Sequence, residues 1–449
     1  MKYPVLKFTA AGCLLAMCGA GSGENEDARS LSDRPVTPVA VGVSPLATSG
    51  PKPNPVTPAT DTEIKASLGR GVDFLLTTQN EDGSWGTFRT GRPEDVLAPV
   101  PGSHHAFTAA VTALGLMAMI ETRPLAPAEK RPAMAEAIDW AEAYLLKDLR
   151  RVRRATPMVF YNTWAHAFAT QALARLHDYR AGQPEKQQQI EALIRHQFSM
   201  LEKYELVDGG WGYYDFAIGT QHPAGSSSSF TTSSVLVALS EARRIGVAPP
   251  ERLTRRAVAS VRRQRKPDFT YLYGEHHKYR PQAEIDRPGG SLGRSQVCNL
   301  ALRRWGDEQV TDAVLKTWLD RLFARNLWLD IGRKRPIPHE SWMAVAGYFY
   351  YYGHYYGALC MDELPAEERG PFRIQMARLM VDRQERDGSW WDFPMYGYHQ
   401  QYGTAFALMT LGRCLEEEAT LRRARRGVVV PPSVQEANDH GTTDTTGEF

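Results

Sequence analysis

Six residues have the types and spacing for acid–base chemistry: Tyr161, Asn162, His166, Arg294, His339 and Glu340. Asn162 and His166 stand one helical turn apart and share a face, with Tyr161 just before them. Arg294 opens an apolar helix in GGSLGRSQ, where a cation opposes the helix dipole and so has some other reason to be present. A Tyr or His base, with Asn, His or Arg neutralising a uronate carboxylate, is the equipment of a polysaccharide lyase, and Tyr161, Asn162, His166 and Arg294 can supply it. An inverting glycosidase instead needs two carboxylates about 6.5–9.5 Å apart, for which Glu340 and Asp215 are the candidate pair. His104, His105, Tyr214, Asp215, Tyr348, Tyr351, Tyr355, His399 and Tyr402 form the wider ligand-binding set. No metal site and no cofactor is expected. Against each of these stands a structural reading, since a single His or Arg in such a place more often satisfies neighbouring groups than reacts.

Helical segments in alternation must position these residues. Outer, amphipathic segments are expected at 62–79, 128–152, 185–205, 251–266, 307–327 and 371–384. Each is followed by a more apolar inner segment, at 106–121, 162–179, 229–245, 292–305, 340–361 and 402–418. Six such hairpins at regular intervals predict an all-α chain closed into an (α/α)6 toroid, with the inner helices around a central cavity. In a closed ring every outer-to-inner loop emerges at one end. Those loops are long and carry His104, His105, His222, His276, His277, His339 and His399 together with many tyrosines, which makes that end the expected site. In the fifth inner segment, GYFYYYGHYYGALC, the spacing puts Tyr348, Tyr351, Tyr352 and Tyr355 on one face. Such a wall can stabilise a carbocation, stack on a sugar ring, or simply pack a core.

Three stretches share a pattern: FLLTTQNEDGSW ending at Trp85, MLEKYELVDGGW ending at Trp211, and LMVDRQERDGSW ending at Trp390. Each closes a helical segment with Gln79, Glu205 or Gln384, turns through Asp-Gly, and delivers a Trp two residues later. The Gly permits a tight turn, and the Trp offers a large apolar plate. These residues resemble the QW repeat of the squalene-hopene cyclase, oxidosqualene cyclase and protein prenyltransferase superfamily; Glu205 departs from it at the Gln. The resemblance implies an α/α toroid whose Gln and Trp tie the outer helices together, and an apolar, isoprenoid-like ligand. The family's DxDD acid motif, its zinc set and DDxxD clusters are absent, Gln296 standing where the zinc Asp would precede Cys298. Whether the chain is an enzyme is therefore left open. A carbohydrate-active enzyme and a non-catalytic binding scaffold remain as alternatives.

Composition sets the outer bounds. Lys and Arg number 53 against 51 Asp and Glu, a net charge of +2 that argues against a dominant polyanion-binding role; the expected partner is a small molecule or glycan in the cavity and not nucleic acid. The seven cations between Arg252 and Lys266 read as a solvated helix face. Lys2, Lys7 and a short apolar run have the layout of an export signal over residues 1–22, giving a secreted or periplasmic protein. Cys18 leaves both ordinary cleavage and lipid anchoring at a membrane open. Residues 23–60, rich in Pro and Thr, are expected to be a disordered linker, 61–421 the toroid, and 422–449 a disordered tail. Cys298, Cys360 and Cys414 read as small buried hydrophobes.

Overall fold

Inner and outer helices alternate because apolar content alternates. In the computed structural model, residues 42–89, 101–215 and 223–415 are described. The helices are α1 (Asp61–Thr77), α2 (Pro101–Thr122), α3 (Arg131–Asp148), α4 (Asn162–Tyr179), α5 (Pro184–Lys203), α6 (Ser229–Arg244) and α7 (Glu251–Arg263). They continue as α8 (Leu292–Arg304), α9 (Asp312–Ala324), the short α10 (Asn326–Asp330), α11 (Phe349–Asp362), α12 (Gly370–Asp382) and α13 (His399–Gly412). No strand of more than isolated bridges occurs among the described residues. Helices α2, α4, α6, α8, α11 and α13 pack each against the next, and α13 returns to α2, so the inner ring closes as an (α/α)6 toroid. Every residue of α11 is buried, as an inner position demands, whereas α7 buries one stripe through Leu253, Ala257 and Val261. Residues 102–125 are long and apolar enough to cross a membrane, yet they span the inner helix α2 and the short turn after it and are mostly buried in the protein. The three cysteines are free and buried.

The three Trp turns make the same bonds. Trp85, Trp211 and Trp390 are fully buried, and their indole N–H groups donate to Leu75 O, Leu201 O and Met380 O at 2.8, 2.9 and 2.8 Å. Their backbone N–H groups donate to the hydroxyls of Thr112, Thr232 and Thr404 on the following inner helix, each at 3.0 Å. Gly83, Gly209 and Gly388 lie in the left-handed region at φ of 86°, 91° and 88°. A Cβ there would meet the next outer helix, for example Arg70 O at 2.5 Å from Gly388. Gln79 reaches Ala137 O of α3 at 3.0 Å, and Gln384 reaches Ser67 O of α1 at 2.9 Å, which joins the last outer helix to the first. Glu205 replaces those amide bonds with ion pairs of 2.7 Å to Arg252 and Arg256 of α7. The basic helix is a solvated outer face, as expected, whose arginines are also ion-paired: Arg262 meets Asp307 and Arg263 meets Glu275, both at 2.7 Å.

A fourth turn of this shape escaped the sequence pattern. Arg265 and Tyr271 bridge as Gln79 and Trp85 do, and Asp268 accepts Thr270 N at 3.0 Å as Asp82 accepts Ser84 N. Phe269 occupies the glycine position at φ 61° and Tyr271 the Trp position, so neither signature letter survives.

At the opposite end the ring is closed by charge. Going round the inner helices, Glu121 (α2) pairs with Arg175 (α4) at 2.5 Å, Arg175 approaches Glu241 (α6) at 3.9 Å, and Glu241 pairs with Arg304 (α8) at 2.7 Å. Arg304 then meets Glu363 at the end of α11 at 3.0 Å, while Arg413, just past α13, joins Asp362 of α11 at 3.1 Å to Glu121 at 2.5 Å. Burial works against the charged guanidinium of Arg413, but Glu121 and Asp362 outweigh it and raise its pKa.

Two expected boundaries move. The linker expected over 23–60 is, from residue 43 onward, an arm laid on α9 and α12. Its backbone carbonyls at Leu46, Ser49 and Asn54 accept from Arg321 (2.7 and 2.5 Å) and Gln375 (2.7 Å), and Lys52 pairs with Asp320 at 2.5 Å. A Pro-rich segment has few N–H partners of its own, so side chains satisfy its carbonyls. The export signal at 1–22, the start of the linker and the tail at 422–449 lie outside the described residues. The fifth inner helix begins at Phe349 rather than 340, because Pro336, Pro338 and the left-handed residues Lys334, His339 and Ala344 cannot continue a helix.

Candidate functional site: an aromatic bowl at the loop-bearing end

The floor is made of rings that meet across the toroid. Trp164 of α4 lies 6.1 Å, edge to face, from Tyr352 of α11, the opposite helix of the inner ring. Trp164 also stacks on Phe168 and Phe230 at 5.7 and 6.0 Å, and Phe406 of α13 contacts Phe168 and Tyr352 at 5.8 and 6.2 Å. The centre of the ring is therefore closed at this level, and Trp164 is only partly buried above it. On the loop side of this floor, among the described residues, Tyr213, Tyr214, Tyr273 and Tyr348 are only partly buried.

Tyrosines delivered by the loops form the lip. Tyr161 and Tyr213 stack at 5.9 Å with 11° between planes, and the Tyr161 and Tyr214 hydroxyls are hydrogen-bonded. A second chain has a fixed direction. His339 Nδ1 lies 2.7 Å from Ala344 O, a group that only accepts, so Nδ1 carries the proton and Nε2 accepts from the Tyr348 hydroxyl at 3.2 Å. Tyr348 then accepts from Tyr273 at 3.3 Å, and Tyr273 accepts from Tyr213. Burial keeps this chain neutral: it raises the phenol pKa of Tyr213, Tyr273 and Tyr348 and lowers that of His339. On the other side Phe107 packs on Tyr161 and Tyr398 at 4.8 and 5.7 Å, and His104 meets Tyr396 at 4.7 Å.

One buried acid stands behind this wall. Asp392 accepts from the Tyr402 hydroxyl at 2.6 Å and from Tyr351 N, in the first turn of α11, at 3.0 Å. Burial pushes its carboxyl up to about 7, against the pull of those two hydrogen bonds.

Of the residues picked from sequence, the structure brings together Tyr161, Tyr214, Tyr348, His339, His104 and, through Phe406 and Asp392, Tyr402. The others have different neighbours. His166 is buried against α5, with Nδ1 2.8 Å from Gln197 Oε1 and its ring on Tyr204, and burial pushes its pKa down to about 4. Arg294 is consumed by Tyr271 O (3.0 Å), Gly290 O (3.1 Å), Ile285 O and the Asp286 carboxylate (3.1 Å), so it fastens a loop rather than facing a substrate. Glu340 is exposed, because the chain there is loop and not helix. Asn162 is buried with neither amide atom hydrogen-bonded. Asp215 accepts Ala224 N at 3.1 Å, and His105 lies 3.8 Å from Asp148. Tyr351 packs on Tyr350, Tyr355 meets the underside of the floor at Phe406 (5.2 Å) while accepting from Arg175 at 3.2 Å in the charge layer, and His399 packs on Trp391. The single tyrosine face expected on α11 is thus divided, with Tyr352 at the floor and Tyr351 behind the helix.

The sequence reading passed over Trp164, Phe230, Phe406 and Asp392. A signal for Asp392 existed: Tyr213, Tyr273 and Asp392 each stand two residues beyond the aromatic of a turn, Trp211, Tyr271 and Trp390. Among the described residues no cluster of His, Cys, Asp and Glu could hold a metal ion.

No family model and no curated protein matches the chain. Solved structures similar to it include an apo type II terpene cyclase from Scytonema, 14% identical over 81% of this chain and 99% of that one, with a TM-score of 0.43. A possible member of the GH105 family from Salmonella enterica is 13% identical over 81% and 97%, with a TM-score of 0.47. A glycosyl hydrolase family 88 protein from Bacteroides vulgatus is 12% identical over 79% and 99%, with a TM-score of 0.46.

Proposed function

We propose that this protein binds an apolar, isoprenoid-like ligand in the aromatic bowl, as an exported relative in kind of the terpenoid-cyclase and prenyltransferase toroids. The observation that carries the reading is the floor, where the partly exposed ring of Trp164 is backed by the buried rings of Phe230, Tyr352 and Phe406. Such a surface takes hydrocarbon by area burial, about 25 cal/mol per Å², and offers little to a polar ligand's hydroxyls. The directed chain from Tyr213 to His339 supplies a polar lip for one oxygen-bearing end of the ligand. The proposal is for binding, and nothing in it requires turnover.

A glycan is the second reading. It is favoured by the stacked faces of Tyr161 and Tyr213 at the lip, which a sugar ring could occupy. The lyase version of it loses two of its four groups, since Arg294 and His166 are engaged elsewhere. Extracting the purified protein with organic solvent and analysing the extract by mass spectrometry separates the readings: an isoprenoid or other hydrocarbon supports the first, and an oligosaccharide retained in the aqueous phase supports the second. Export belongs to the same proposal. Mature protein isolated from its host should lack the residues before about Cys18 or Gly23, and an intact Met1 would refute it.

A further inference from the structure

Away from the bowl, the α3–α4 connection, the end of α5 and Pro223 line a half-open pocket of about 410 Å³. We infer that this pocket is a binding site for a multivalent oxyanion, a phosphate or diphosphate group, held by Arg150, Arg153, Arg154 and Lys203. The charge balance argues for it first. The chain as a whole is nearly neutral, with 53 basic and 51 acidic residues, and arginines elsewhere are routinely paired. These four cations line one cavity whose other walls are Val152, Met200, Tyr204 and Pro223, with no acidic residue among them. None of the four has a carboxylate partner among the described residues; Arg153 donates only to Arg151 O at 3.3 Å, and Arg154 and Lys203 lie over the rings of Phe160 and Tyr204. Like charges gathered in a concave site repel one another until a counter-ion enters, and a concave site concentrates their field.

The valence of the ligand follows from the same count. One carboxylate would neutralise one of four charges, whereas a phosphate or diphosphate brings two or more and presents several oxygens to guanidinium forks. A volume of 410 Å³ lies in the range of small-molecule sites, roughly 300–1,000 Å³, which leaves room beside the anion for the body it is attached to. Val152, Met200 and Pro223 give that body an apolar wall. The anion can arrive free in solution or as the head group of a lipid.

Calorimetric titration of the full chain with inorganic pyrophosphate, and co-sedimentation with vesicles of phosphatidylcholine alone or mixed with phosphatidylglycerol, test this. The variant is the double substitution Arg153→Ala/Lys203→Ala at two exposed positions, and the control is Arg255→Ala on the exposed face of α7. Expected is saturable binding that weakens at least tenfold in the double variant, weakens with added salt, and is unchanged in the control, all three proteins melting alike. Binding of pyrophosphate assigns a soluble anion; binding of the anionic vesicles alone, with the same loss in the variant, assigns a lipid head group. The inference is overturned if neither probe binds, or if the double variant binds as the wild type does. Its failure would leave the bowl's ligand untouched, because no residue is shared between the two sites.

Discussion

Asp392 and the buried histidines give the residue scale its sharpest tests, because their protonation states oppose one another. The Asp392 carboxyl sits at about 7 in the folded chain, above the roughly 3.9 of an exposed Asp. The folded state therefore keeps a proton that the unfolded chain has released, so the contribution of Asp392 is complete below about pH 4 and is lost as pH rises through about 7. Urea titrations at a series of pH values should show wild-type stability falling relative to Asp392→Asn over that window; parallel profiles would mean that Asp392 is ionised throughout. His166 and His354, both pushed down to about 4 by burial, act in the other direction, stabilising above about pH 6.5 and losing that share as pH falls. Asn162 has a different signature. Both its amide atoms are buried without a partner, so Asn162→Leu should leave the melting temperature level or raise it, whereas a fall of several degrees would reveal a bond to ordered water. At this scale the sequence was legible only in part. Residue type announced Tyr161, Tyr348 and His339, but not that Arg294 is spent on loop carbonyls and the Asp286 carboxylate or that His166 turns to α5, because one helix position has several possible neighbours and spacing alone does not choose among them.

Elements were more legible, since the Trp turns join two kinds of information, a helix period and a fixed turn. Trp390→Ala should cost about 3–5 kcal/mol as a buried ring and an indole hydrogen bond are lost. Gly388→Ala should be nearly as damaging for a different reason, as it combines φ 88° with a Cβ placed 2.5 Å from Arg70 O. Denaturant curves for the pair measure both, and a loss under about 1 kcal/mol for either would mean that the turn does not hold α12 to α1. The fourth turn shows where legibility ended. Phe269 and Tyr271 keep the backbone shape while changing both signature residues, so the geometry outlives the letters. The early start assigned to α11 had a similar cause, since the apolar residues near 343–347 continue the helical period while the backbone there is held in turns.

For the whole molecule, the closed ring was readable from six alternating segments, but the charge circuit that closes its far end was not, because its members are single Glu, Asp and Arg residues near the ends of six separate helices. Glu121 is the joint where the first inner helix meets both the second and the last, through Arg175 and Arg413. Glu121→Gln leaves two buried guanidiniums short of a partner and should cost about 3–5 kcal/mol, read as a fall in the denaturant midpoint; no change would show that water compensates for the lost charge. On the proposed reading the ligand enters from the loop end, because the charge circuit seals the other end and rings close the middle. The most direct test of the account is calorimetric titration with a sesquiterpene alcohol and, separately, with a neutral oligosaccharide, on wild type and on Trp164→Ala. The account predicts saturable binding of the isoprenoid with a negative heat-capacity change, weakened at least tenfold by Trp164→Ala, and no binding of the sugar; saturable binding of the oligosaccharide, with none of the isoprenoid, would contradict it.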